Sequence, residues 1–190
     1  GGTEILLYTP DRPGLFTLAT GTLAALGLTI VEAKVHTTRD HWALDTFIVL
    51  DQDDRPLEEP AARANIEERL RAALTQPGAA PPAPSRQSFR ARAQRHFPTP
   101  VEVSFYPSAS GRQTVAEVLA PDAPGVLYRI ARVLSEAGCE IHAAKVVTFG
   151  ERTQDTFFVT RANAPLEARE ERQELAGAIR RELEPEAVAG

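Results

Sequence analysis

The sequence predicts an α+β chain built from one βαββα module used twice in tandem, each copy an antiparallel sheet with its helices on one face. Two observations predict this. The first is an internal repeat. Residues 10–37 are answered without a gap by residues 121–148, which share Pro10/Pro121, Asp11/Asp122, Pro13/Pro124, Gly14/Gly125, Leu23/Leu134, Gly27/Gly138, Ile30/Ile141, Ala33/Ala144, Lys34/Lys145, Val35/Val146 and Thr37/Thr148. Unrelated stretches of that length match at roughly two positions. After a one-residue slip the register resumes, and Asp45-Thr46-Phe47 answers Asp155-Thr156-Phe157. The second observation is that two-residue alternation and helical spacing follow one another in the same order in both copies.

Residues 3–9 are a short apolar run ended by Pro10, which cannot donate to a ladder, and they read as a strand. Asp11-Arg12-Pro13-Gly14 turns the chain into a helix. Pro13 suits the first helical position, and Asp11 stands near the helix mouth, where a carboxylate meets unpaired N–H groups. Leu15, Leu18, Ala19, Thr22, Leu23 and Leu26 follow at helical spacing until Gly27 stops them. Residues 29–37 and 43–50 read as the second and third strands around a turn, and 51–60 as a polar loop. Ala62, Ile66, Leu70 and Leu74 then line one face of a second helix over 61–74.

Residues 76–84 carry four prolines without apolar periodicity and read as a linker. The segment continues through Arg86, Phe89, Arg90, Arg92 and Arg95, a basic run expected to be solvated surface or a docking segment rather than a phosphate-binding patch. The expected division is therefore 1–76, a linker over 77–97, and 98–190.

Residues 101–106 alternate as a strand, and 114–120 repeat the first strand of the module. The next helix uses Leu127, Ile130, Val133, Leu134 and Ala137, residues 141–148 and 156–160 are strands, and 169–183 form the closing helix. A βαββαβ sandwich needs a strand flanking its first one, or that strand becomes an open edge. Residues 101–106 run through a short loop into 114–120. They are expected to pair antiparallel with them, supplying the edge of the second module from its N-terminal side.

Composition narrows the function. A chain of 190 residues has room for two small domains, and 43% hydrophobic with 25% charged residues is ordinary for a globular protein. The net charge of −5 disfavours a nucleic-acid partner. No apolar stretch approaches the roughly 20 residues of a membrane span, and no signal-peptide pattern is seen. A single cysteine, Cys139, excludes an internal disulfide and fits a reducing compartment, so a cytoplasmic protein is expected.

Catalytic groupings are scarce. His36, His41, His96 and His142 show no metal-ligand spacing, and neither a phosphate-cradling glycine loop nor a nucleophile elbow occurs. Asp51-Gln52-Asp53-Asp54 resembles a magnesium-holding carboxylate pair in isolation but reads better as a polar turn. The duplicated corner offers binding instead. The helix mouths at residues 12–14 and 123–125 present N–H groups and a positive dipole end for a carboxylate, while Asp11 and Asp122 stand beside them to meet an ammonium. Gly14 and Gly125 allow close approach to the backbone. Together these suit a free α-amino acid, although Asp-x-Pro-Gly can equally serve only to start a helix.

Strand, Asp-x-Pro-Gly-[Leu/Val], helix ending in Gly, two strands with Asp-Thr-Phe in the second, then helix: this series resembles the ACT domain, a ferredoxin-like βαββαβ module that binds amino acids and regulates attached enzymes. The tandem is more specifically similar to the C-terminal ACT pair of the bifunctional PII uridylyltransferase/uridylyl-removing enzymes. That likeness rests on residues 1–5, Pro10-Asp11-Arg12-Pro13, Thr37-Thr38-Arg39-Asp40, residues 45–50, Arg95-His96-Phe97, and Gly150-Glu151-Arg152 with Asp155.

The resemblance implies a regulatory fragment without catalytic residues, metal or cofactor of its own, magnesium being needed only by catalytic domains elsewhere in the polypeptide. The implied partners are free L-glutamine, the nucleotidyltransferase and HD-type hydrolase domains of the same polypeptide, the signalling protein PII, and other ACT modules through self-association. The implied ligand contacts are Asp11, Arg12, Gly14, Leu15 and Thr29, and in the second copy Asp122, Ala123, Gly125, Val126 and Glu140. Arg12 against Ala123, and Thr29 against Glu140, predict two sites of unequal affinity. A sensor for another amino acid, and a module that docks proteins without a small molecule, are the alternatives.

Overall fold

The computed structural model describes residues 1–76, 100–123 and 125–184. The first module runs β1 (Thr3–Pro10), α1 (Leu15–Ala25), β2 (Thr29–Lys34), β3 (Trp42–Leu50) and α2 (Pro60–Thr75). The second runs β4 (Glu102–Pro107), β5 (Thr114–Pro121), α3 (Val126–Glu136), β6 (Cys139–Phe149), β7 (Arg152–Arg161) and α4 (Arg169–Leu183). Their antiparallel sheets have strand orders β1-β3-β2 and β4-β5-β7-β6. The expected linker over 77–97 and its arginines lie outside the described residues.

The edge strand falls where the sequence predicts it. β4 lies antiparallel to β5, with Val103 opposite Val118 and Phe105 opposite Ala116. β5 is thereby an inner strand, buried at Val115, Ala116, Val118 and Ala120. Its counterpart β1 has β3 on one side and is otherwise open among the described residues, with Leu6 64% and Tyr8 61% exposed.

Each copy carries a bulge at the same place, between Ile30 and Glu32 in β2 and between Ile141 and Ala143 in β6. One extra residue there bends the strand and sharpens its twist. The one-residue slip in the repeat is a longer turn: Thr37 bridges Ala43 in the first copy, whereas Thr148 pairs with Thr153 in the second. β2 ends at Lys34, short of the expected Thr37, because that wider turn peels the chain off the ladder. β7 begins at Arg152, four residues earlier than expected, because its alternation continues back through buried Asp155 and Thr153.

Both first helices depart from the expected start. α1 begins at Leu15 with Gly14 as N-cap at φ 78°, and α3 at Val126 with Gly125 at φ 81°. Pro13 therefore precedes the helix instead of occupying its first position. The left-handed glycine turns the chain sharply from strand to helix, a conformation that costs other residues about 1–2 kcal/mol.

The two modules pack side by side. α1 lies next to α3, and the β2 edge of one sheet neighbours the β6 edge of the other. Phe16 sits between the two cores, its ring 6.0 Å from Phe47 and 6.4 Å from Phe157. Thr17 and Ser135 share a 2.9 Å hydrogen bond across the seam. Their repeat equivalents, Tyr128 and Ala24, lie together along the same seam.

Candidate functional site in the seam between modules

Packing α1 against α3 brings the corner of one module onto the second strand of the other. A small cavity, partly open to solvent, forms there. Its first-module wall is Thr20, Ala24, Leu28, Thr29 and Ile30. Asp122, Ala123, Gly125, Val126 and Tyr128 close it from the corner of the second module, with Thr153 and Asp155 of β7 beneath. Neither module makes this site alone.

Five of the ten residues expected from sequence meet here: Thr29, Asp122, Ala123, Gly125 and Val126. The other five lie outside it. Asp11, Arg12, Gly14 and Leu15 form the corresponding corner of the first module, and Glu140 is exposed near the start of β6. Ala123 and Val126 are buried, whereas Asp122 and Gly125 are half-buried. The mouth of α3 faces the cavity with its dipole's positive end, and its first turn contains no acidic side chain. At about 20 Å³ the cavity has room for about one water and is far too small for an amino acid. Any larger occupant has to part the seam.

The two corners differ in how they are tied down. In the first, Thr37 Oγ1 donates to Asp11 Oδ2 at 2.9 Å. Arg12 Nη2 donates to the Leu74 carbonyl at 2.8 Å, where a cation suits the C-terminal end of α2. In the second corner Ala123 has no guanidinium to make such a tie, and the buried Thr148 hydroxyl makes no hydrogen bond among the described residues. Neither helix is capped by a side chain. The aspartates thus do not cap as expected, because the left-handed glycine takes the capping position from them.

The feature that sequence reasoning passed over is the aspartate of each Asp-Thr-Phe. Ala43, Asp45, Phe47 and Val49 alternate onto the core face of β3, and Asp155, Phe157 and Val159 do the same in β7. Asp45 and Asp155 are each only 1% exposed. The signal was available, since an aspartate in phase with phenylalanine and valine on one strand is a carboxylate pointed inward.

Thr153 Oγ1 donates to Asp155 Oδ1 at 2.7 Å, while Oδ2 is buried with no hydrogen-bond partner among the described residues. Burial pushes the Asp155 carboxyl up to about 7; the Thr153 hydrogen bond opposes the rise and the Asp122 charge adds to it. Burial likewise raises Asp45 to about 6, opposed by a backbone hydrogen bond from His36 and assisted by Asp11. Asp45 Oδ1 also lacks a partner among the described residues, but this residue does not line the cavity.

Elsewhere the polar candidates are structural. Asp51 Oδ1 accepts from the backbone N–H of Asp53 at 2.8 Å and of Arg55 at 2.9 Å, a turn built on its own carboxylate. His142 Nε2 hydrogen-bonds Thr160 Oγ1 at 2.7 Å. Cys139 is buried at the start of β6, its thiol pushed up chiefly by desolvation. Among the described residues no three His, Cys, Asp or Glu side chains gather as a metal site. No helix among them is long and apolar enough to cross a membrane.

Comparison with known proteins follows the same two-copy division. The family model described as "ACT domain" matches residues 3–68 and again residues 114–177. Among curated proteins, the chain is 41% identical over 160 residues to a bifunctional uridylyltransferase/uridylyl-removing enzyme of Nitrosospira multiformis, covering 84% of this chain and 18% of the relative. It is 36% identical over 176 residues to that of Methylococcus capsulatus, covering 92% and 20%. To that of Aliivibrio fischeri strain MJ11 it is 36% identical over 165 residues, covering 84% and 18%. The chain thus spans about a fifth of the length of these relatives.

Proposed function

The chain belongs to the ACT domain family, and on that premise we propose that it is the amino-acid-sensing region of a bifunctional uridylyl-transferring and uridylyl-removing enzyme, with free L-glutamine as effector. In this reading it does no chemistry and needs no cofactor of its own. It reports glutamine to catalytic domains in the same cytoplasmic polypeptide, which act on the signalling protein PII. Its modules are residues 1–76 and 98–190, with 77–97 as connector.

One observation carries the reading: the corner of the second module and the second strand of the first wall a single cavity of about 20 Å³. A zwitterion suits the walls, its carboxylate at the positive mouth of α3 and its ammonium beside Asp122 and Asp155. Entry requires α1 and α3 to separate, so the occupied seam differs from the empty one in how the modules sit. A ligand shifts such an equilibrium only by its difference in affinity for the two states, typically about 1–3 kcal/mol in regulatory proteins. The first-module corner, engaged by Arg12 and Thr37, is the weaker site.

Calorimetric titration of the chain with L-glutamine tests this, with a saturable signal expected. A flat trace with glutamine and every other free amino acid at millimolar concentration overturns it; a signal from another amino acid alone keeps the sensor and changes its effector. In the full-length enzyme, Asp122→Ala is expected to blunt the glutamine response of uridylylation. Protein docking is the second reading. It is favoured by the outer face of the first sheet, where exposed Leu6, Tyr8 and Leu44 cluster and Tyr8 stacks on Trp42 at 4.7 Å. A flat titration with regulation intact would point there.

A further inference from the structure

We propose that the Asp155 carboxylate is the ammonium-recognising group of the seam cavity, and that a cationic amine takes the place of a proton there, coupling ligand binding to proton release. The inference rests on the sensing reading and deepens it.

Three observations meet at this atom. Asp155 is almost wholly buried and lines the cavity, and its Oδ2 is buried with no hydrogen-bond partner among the described residues. A buried acceptor left unsatisfied is costly, and such groups in folded proteins commonly await something. The second observation is the charge of the walls. Thr20, Thr29, Asp122, Tyr128, Thr153 and Asp155 are the polar side chains around the cavity, and no lysine, arginine or histidine is among its lining residues. Asp122 and Tyr128 are the other titratable groups there, and neither supplies a positive charge. Among the described lining residues none offers this carboxylate a cation, and an ammonium-bearing ligand would bring one.

The third is the difference between copies. Arg12 stands next to Asp11 in the first corner, whereas its equivalent in the second corner is the uncharged Ala123. A metal ion is the poorer candidate, since no group of three ligating side chains gathers here among the described residues. An organic ammonium, with three donors and a compact charge, fits an acceptor pair of Asp122 and Asp155.

The exchange balances simply. Free, Asp155 is about half protonated at neutral pH. The incoming ammonium keeps its own protons, and the carboxyl proton leaves to the buffer. Below pH 7 the amine competes with that proton and affinity falls; above pH 7 the carboxylate is already charged and affinity levels off. Two-state protonation at that position predicts about a fivefold loss of affinity from pH 7 to pH 6, and release of about half a proton per ligand at pH 7.

The test is calorimetry of the chain with L-glutamine at pH 7 in phosphate and in Tris, buffers of very different ionisation enthalpy, repeated at pH 6 and with N-acetyl-L-glutamine. Wild type is expected to show buffer-dependent heats, the fivefold loss at pH 6, and no binding of the acetylated analogue. Asp155→Asn is expected to bind more weakly, with the buffer and pH dependence gone. Buffer-independent heats in the wild type overturn the proposal without requiring any variant to fold. Asp155→Asn with unchanged affinity and proton release also overturns it, and leaves glutamine sensing standing. Absence of binding by every free amino acid removes the sensing reading and this inference together.

Discussion

Replacing Asp155 by Asn is expected to stabilise the fold, and to do so by an amount that grows with pH. In the folded chain the carboxyl is held up at about 7, against 3.8 for an ordinary aspartate. A raised carboxyl contributes most below its unfolded value, and that contribution is lost as pH rises through the folded one. Between these limits each pH unit removes up to about 1.4 kcal/mol, because the folded state keeps a proton that the unfolded state has released. From pH 5 to pH 8 the loss sums to about 3 kcal/mol at Asp155, and to about half that at Asp45, where the carboxyl sits at about 6.

Asparagine keeps the shape and cannot ionise, so the stability difference between Asp155→Asn and wild type should widen by about 3 kcal/mol over that range. Asp45→Asn should show about half of it. Urea unfolding of wild type and both variants at pH 5, 6, 7 and 8 measures this, with the difference taken at each pH so that other titrating groups cancel. A difference that stays constant, or narrows as pH rises, would refute the claim that these carboxyls are destabilised by burial. Stabilisation on removing a buried acid is also what a binding site held ready for a ligand predicts.

Three other changes probe the seam and its corners. Phe16→Ala removes the ring that bridges Phe47 and Phe157 and should cost about 3–5 kcal/mol in denaturant unfolding, whereas a cost under about 1 kcal/mol would mean that the two cores do not share it. Ala123→Arg, which copies the first corner into the second, should fill the cavity and weaken glutamine binding at least about tenfold by calorimetry; Arg12→Ala should leave binding within about twofold, and the reverse pattern would move the site to the first corner. Gly14→Ala has open space for its methyl but a backbone at φ 78°, so about 1–2 kcal/mol of stability should be lost purely to conformation, and a neutral result would show that the corner relaxes out of the left-handed region.

The duplication, the element order and the borrowed edge strand were legible because each rests on local pattern. Alternation marks β5 and β7, helical spacing marks α1 and α3, and a short loop forces β4 beside β5. Element ends were less legible. The wider turn after β2 and the left-handed caps at Gly14 and Gly125 depend on backbone geometry that residue type only permits.

Half of the residues expected from sequence fall in the candidate site, for a related reason. Asp122, Ala123, Gly125 and Val126 fall within five positions of one corner, so the repeat exposes them as a unit. Thr20, Ala24 and Asp155 belong to the same cavity but come from another module and another strand. Sequence distance hides such neighbours until the chain is packed.

By itself the sequence determined what each module is, because hydrophobic period and turn chemistry act over a few residues at a time. Only the tertiary structure decided which corner becomes a cavity and which is tied off. That outcome depends on how α1 and α3 meet, on an arginine reaching a distant carbonyl, and on a carboxylate whose burial is the work of residues far along the chain.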